Sequence, residues 1–239
     1  MRCLSARISV AALCVTAALG LTACDAFTGD AGPRAPFDGL TGPEVTNKAV
    51  AATRAAATVR LTVTTESADG PVQAFVASGA RGACTGTFSL GSAGTLELIR
   101  ADGAVYTKSD AAMLRAAAAD GPARDADANV DRLAGRWVKA RPDDHRTARS
   151  LRFCDPKDLL DRLAATSATT RKGRQATIAG TPCLTLTGGT GREKWTASVA
   201  TEGTPHLLKM RLTDGTEKPL TVEFSEFDAP LTVTRPAAD

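Results

Sequence analysis

The sequence predicts an α+β domain built on one curved antiparallel sheet of about ten to eleven strands wrapped over helices. Three observations carry this. Two long runs of residues alternate apolar and polar with period two. Short turns rich in Gly and Asp join them, which fits antiparallel neighbours. Between the runs lies a more helical middle, and so many strands with one apolar face curl rather than stay flat.

Ahead of the domain, Arg2 and Arg7 precede an uncharged, mostly apolar stretch from Ile8 to Ala23. Its sixteen residues are fewer than the ~20 that a membrane-spanning helix needs. The anatomy is that of a secretory signal peptide over residues 1–23. It ends in Leu21-Thr22-Ala23-Cys24, an aliphatic residue and two small ones before a cysteine. That pattern resembles the lipobox of bacterial lipoproteins, in which the Cys24 thiol takes a diacylglyceryl group and cleavage follows Ala23. Cys24 is therefore the expected lipidation site. Acyl chains would tether the protein to the outer face of the cytoplasmic membrane, since each buried CH₂ contributes about 0.8 kcal/mol. Cleavage leaves 216 of the 239 residues and lowers the formal charge from +3 to +1. Residues 24–42, rich in Gly, Pro, Asp and Thr, read as a tether. A single domain is expected over 43–235.

Within that domain Pro43-Glu44 opens a helix running to about Ala57, with Thr41 or Gly42 as cap. Val59, Leu61 and Val63 alternate with polar residues, Ala68-Asp69-Gly70 marks a turn, and Pro71 to Ser78 is the return strand. Cys84 to Leu90, Thr95 to Arg100 and Ala104 to Lys108 continue the pattern. Asp110 to Ala119 and Asp125 to Ala134 read as helices, Arg136 to Ala140 as a short strand, and Arg141 to Ser150 as a charged loop. Asp155-Pro156 starts a helix with Leu159, Leu160 and Leu163 on one face. Strands follow at Gln175 to Ala179, Pro182 to Thr187, Glu193 to Ala200, Leu207 to Thr213 and Leu220 to Ser225.

Composition limits function. Apolar residues make up 43% of the chain, but 45 of them are Ala, and aromatics are only 4%. The interior must come from Val, Leu and Ala. The 29 basic and 26 acidic residues nearly cancel, which argues against a dedicated nucleic-acid binder. Catalytic signals are thin: His145 and His206 show no metal-ligand spacing, no G-x-S-x-G elbow is present, and Gly188 to Gly191 sits between strands as a hairpin turn. No enzyme, metal site or cofactor is expected, and the molecule reads as a monomer.

Export implies an oxidising compartment. Beyond Cys24 the mature chain has Cys84, Cys154 and Cys183. Cys84 shares a strand face with Phe88, Cys154 precedes a helix, and Cys183 points away from Leu184 and Leu186. This favours a Cys84–Cys154 disulfide with Cys183 free, and Cys84–Cys183 is the rival pairing.

The lipobox, tether, opening helix and two strand runs, with ELIRADGAVYTK (97–108), GRWVKA (135–140), FCDPKDLLDRL (153–163) and LTVEFSEF (220–227), resemble the LppX/LprG lipoproteins of actinobacteria. These are related in fold to the LolA/LolB carriers. The resemblance spans nearly all of residues 42–235. It implies a half-open β-barrel with helices on its concave side, and between them an apolar cavity that holds acyl chains of a lipid or glycolipid. It offers no compact motif to transfer. The cavity-lining candidates come from the alternation: Val59, Leu61, Val63, Leu96, Leu98, Leu208, Met210 and Leu212. The competing expectation is a structural or adaptor envelope lipoprotein with a closed core that binds a protein partner.

Overall fold

The computed structural model describes residues 35–67, 70–79, 81–119, 126–215 and 218–237. The signal peptide, Cys24 and the turn residues 68 and 69 lie outside the described residues.

Helix α1 spans Gly42–Ala55, with Thr41 as its N-cap. The Glu44 carboxylate accepts from the Thr41 backbone N–H at 2.7 Å, and the Thr41 hydroxyl accepts from the Glu44 N–H. This reciprocal box satisfies two donors that the first turn leaves free. The Thr41 bonds also hold the Glu44 carboxyl below the usual carboxylate range. The buried face is Val45, Thr46, Ala49, Val50 and Thr53. Both buried threonines are satisfied: Thr46 donates to Gly42 O at 2.9 Å, and Thr53 Oγ1 accepts from the Leu207 N–H at 2.9 Å.

Strands β1 (Thr58–Ser67), β2 (Gly70–Gly79), β3 (Cys84–Leu90), β4 (Thr95–Ala101) and β5 (Ala104–Ser109) form a meander. Helices α2 (Ala111–Ala119) and α3 (Ala126–Leu133) come next, then the short β6 (Val138–Ala140), α4 (His145–Leu151) and α5 (Lys157–Ala165). The chain ends in a second meander of β7 (Arg171–Ile178), β8 (Thr181–Thr190), β9 (Glu193–Ala200), β10 (Leu207–Thr213) and β11 (Leu220–Ser225).

All strands join one 11-stranded sheet in the order β6-β5-β4-β3-β2-β1-β11-β10-β9-β8-β7. Every pairing is antiparallel, and β1 against β11 welds the two meanders in the register Leu61↔Phe224 and Val63↔Val222. The first and last strands in this order, β6 and β7, do not pair with each other, so the curved sheet is half-open. Helices cover its concave face, and Val45, Leu160 and Leu163 from α1 and α5 share one cluster with Leu61, Leu98, Met210 and Val222 from the sheet.

Two stretches differ from the sequence reading. The expected charged loop at 141–150 contains α4, whose N-cap Asp144 accepts from the N–H groups of Arg146 and Thr147 at 3.1 and 2.9 Å. These bonds lower the Asp144 pKa. The helix escapes detection because its buried residues are Thr147 and Ser150, which carry no apolar periodicity. Within the stretch read as tether, Phe37 and Leu40 pack partly buried against the core, and Lys172 Nζ donates to both of their carbonyls at 3.1 and 2.9 Å.

Candidate functional site

The inner wall of the sheet is aliphatic by construction. Period two sends every second side chain inward, and antiparallel register stacks those positions across strands. Leu96 pairs with Phe88, Leu98 with Gly86, and Met210 with both Val222 and Ala197. Of the candidates named from alternation, Val59, Leu61, Val63, Leu96, Leu98, Met210 and Leu212 lie buried in this cluster, none more than 7% exposed.

Leu208 does not join them. The β9–β10 register shifts between Leu207 and Lys209, and this bulge turns Leu207 inward, leaving it 0% exposed, while Leu208 is half-buried. An extra residue in one strand reverses the alternation behind it. The Leu207 N–H is satisfied by Thr53 of α1, a partner 154 residues away that no local pattern announces.

Two helical covers close the interior. Helix α1 packs on α5 and reaches β7 and β10, whereas α2 and α3 pack on each other, with α2 against β4 and β5. The covers differ in content. Val45, Val50, Leu160 and Leu163 on α1 and α5 are at most 2% exposed. Among the described residues of α2 and α3, Met113 and Val130 are the buried apolar side chains. The α2 sequence is AAMLRAAAA, so this cover is thin. Asp110 caps it, accepting from the Met113 N–H at 2.7 Å and the Thr95 N–H at 2.8 Å.

Cys84 and Cys154 form the disulfide, with Cα atoms 5.5 Å apart. It pins the α4–α5 junction to the start of β3. Ser78 Oγ and Arg100 Nη2 donate to the Cys154 carbonyl at 2.6 and 3.3 Å. The sequence reading missed Arg100, although its place opposite Cys84 in the β3–β4 register follows from the hairpin. Cys183 is free and buried.

The histidines play no part in the interior. His145 is exposed at the start of α4, beside Arg149. His206 stacks on Phe227 with ring centroids 3.9 Å apart, its Nδ1 is buried without a partner, and burial pushes its pKa below the ordinary imidazole value. Among the described residues no group of three His, Cys, Asp or Glu side chains could hold a metal ion, and no helix is long and apolar enough to cross a membrane.

The outer face of the sheet is different. A depression of about 390 Å³ lies over β1–β3, lined by Arg60, Thr62, Thr85 and Thr87 around Phe75, which is 56% exposed. A second, of about 480 Å³, follows at Pro71, Gln73 and Ser89.

No protein-family profile matches the chain, and no curated protein sequence does. Solved structures do. LprF from Mycobacterium bovis superposes with a TM-score of 0.57 at 15% identity, covering 82% of this chain and 97% of that one. The Mycobacterium tuberculosis lipoprotein LppX gives a TM-score of 0.53 at 14% identity, covering 80% and 97%. The fold is that of LppX and LprF. The LppX-like frame accounts for the half-open sheet and its covered concave face. At this identity the shared feature is architecture, so the lining of the interior has to be argued from this chain's own side chains.

Proposed function

We propose that this protein is a non-enzymatic, exported lipoprotein, anchored through acylated Cys24 at the outer face of the cytoplasmic membrane, which binds or transfers a lipid or glycolipid. The acyl chains would lie between the sheet and the helices, along Val59, Leu61, Val63, Leu96, Leu98, Met210 and Leu212. The observation that carries this reading is the asymmetry of the two covers. The aliphatic wall at β4 and β5 is shut by an Ala-rich helix pair whose buried apolar residues, among those described, are Met113, which joins the interior cluster, and Val130. Displacing so thin a cover exposes little surface, whereas burying a sixteen-carbon chain gains roughly 12 kcal/mol at about 0.8 kcal/mol per CH₂. The interior opens by lifting α2–α3 while the Cys84–Cys154 bond keeps α4 and α5 on the sheet.

A fluorescent fatty acid followed by hydrogen exchange tests this. Saturable probe uptake, with exchange altered in α2 and α3 and unchanged in α1 and α5, is the expected result. No uptake, or exchange changes confined to the outer face near Phe75, overturns it in favour of a closed core with a surface partner.

A further inference from the structure

The charges on the sheet's rim are unevenly matched. At the end where the first described residues join the domain, Arg171, Lys172 and Arg174 stand on the edge strand β7, exposed from Arg171 to Thr177. The β8–β9 turn beside it adds Arg192 and Lys194, both exposed. Thr169 Oγ1, two residues before β7, accepts from the Gly189 N–H at the end of β8 at 3.1 Å. None of these five cations makes an ion pair among the described residues. Of the carboxylates at this rim, Glu44 is engaged in the α1 cap, Glu193 with Arg162 at 2.9 Å and Glu66 with Lys218 at 3.1 Å, and Asp38 and Asp214 lie close by. At the opposite rim several cations are matched, Arg60 by Glu226, Arg54 and Lys157 by Asp161, and Arg141 by Asp143, while Arg146, Arg149 and Arg152 on and after α4 make no ion pair among the described residues but lie away from the chain's entry point.

The chain also enters at the basic rim. Lys172 holds the carbonyls of Phe37 and Leu40, and a Cβ on Gly42 would run into the Thr170 carbonyl, so only glycine permits this approach. Ten residues lie between Cys24 and Ala35, and covalent geometry limits the eleven Cα–Cα steps to a reach of about 38 Å.

We propose that this rim, at the start of β7 and the β8–β9 turn, is a docking surface for the anionic phospholipid headgroups of the membrane. This orientation rests on the anchoring reading for Cys24, but the charge contact itself does not need the acyl chain. Five unpaired cations beside the chain's entry point form a basic cluster whose attraction to an anionic surface acts within a Debye length, about 8 Å at physiological salt. Docking there orients the sheet and its helical covers relative to the bilayer.

The test uses residues 24–239 carrying Cys24→Ser, which cannot be acylated, with vesicles of phosphatidylglycerol or phosphatidylcholine at low salt. Binding to phosphatidylglycerol alone is expected, weakening as salt rises. Replacing Arg171, Arg174 and Arg192 with Gln leaves Lys172 to hold the arm and should lower the affinity about 100-fold, at roughly five-fold per charge. Replacing Arg146, Arg149 and Arg152 with Gln on and after α4 changes the net charge equally and should leave binding nearly unaltered. Equal loss in both variants, equal binding to both lipids, or no binding overturns the proposal. The mass of the Cys24 peptide from cells judges the anchoring reading separately.

Discussion

Removing the Cys84–Cys154 bond should lower stability by about 4 kcal/mol. The two cysteines are 70 residues apart, and closing a loop of that length withdraws roughly 4.4 kcal/mol of chain entropy from the unfolded state in the loop-entropy model. The loop contains α2, α3 and α4, so the bond acts on the elements with the least apolar burial. Both sulfurs are buried, with Cys84 0% and Cys154 1% exposed, and truncating them to Ala adds a packing loss of roughly 1 kcal/mol. For a domain of this size each 1 kcal/mol shifts Tm by about 2–4 °C, so Cys84→Ala/Cys154→Ala, losing about 5 kcal/mol in all, should melt about 10–20 °C lower. Urea unfolding of the oxidised, reduced and double-variant proteins reads the effect. In the oxidised protein Cys183 should react with a thiol reagent only after denaturation, because it is buried. A double variant that unfolds within 2 °C of the parent refutes the loop argument, and a peptide joining Cys183 to either partner refutes the pairing.

Further outcomes follow from single contacts. Leu207→Ala should cost about 2–5 kcal/mol and Leu208→Ala under about 1 kcal/mol, because the bulge buries the first and half-exposes the second; equal costs in urea unfolding would remove the bulge. Gly188→Ala should cost about 1–3 kcal/mol and red-shift tryptophan emission, since a Cβ there would meet the Trp195 ring, whose indole donates to Thr166 at 2.8 Å; unchanged emission contradicts this. Burial holds His206 below its ordinary value of 6.5, so the unfolded chain takes the proton first. Its contribution is therefore full above 6.5 and is lost as pH falls from there through the lowered folded value. His206→Phe should flatten the stability difference between pH 7.5 and pH 5 relative to the parent, and an unchanged difference would place the titration elsewhere.

The strand frame was legible because alternation is a local signal. Val59 to Val63, Cys84 to Leu90 and Leu220 to Phe224 each show one apolar face within a few residues, and hairpins propagate their register. What stayed hidden depends on partners far along the chain. The Leu207 inward turn needs Thr53, the weld of β1 to β11 joins residues more than 150 positions apart, and α4 is held by the Asp144 cap and its neighbouring disulfide without an apolar stripe. Phe37 was visible as an aromatic in a Gly- and Pro-rich stretch, but only Lys172 on β7 shows why it packs. The interior candidates were right in face for all but Leu208. The thinness of their cover could be read only once Met113 and Val130 were seen as the buried residues of α2 and α3.

Native mass spectrometry of the full mature protein, extracted from its own membrane in mild detergent, measures the central claim most directly. The account predicts one non-covalent lipid adduct per chain, additional to the covalent mass on Cys24 and displaced by a fluorescent fatty acid. A chain carrying only its covalent mass, which also fails to take up the probe, would contradict it.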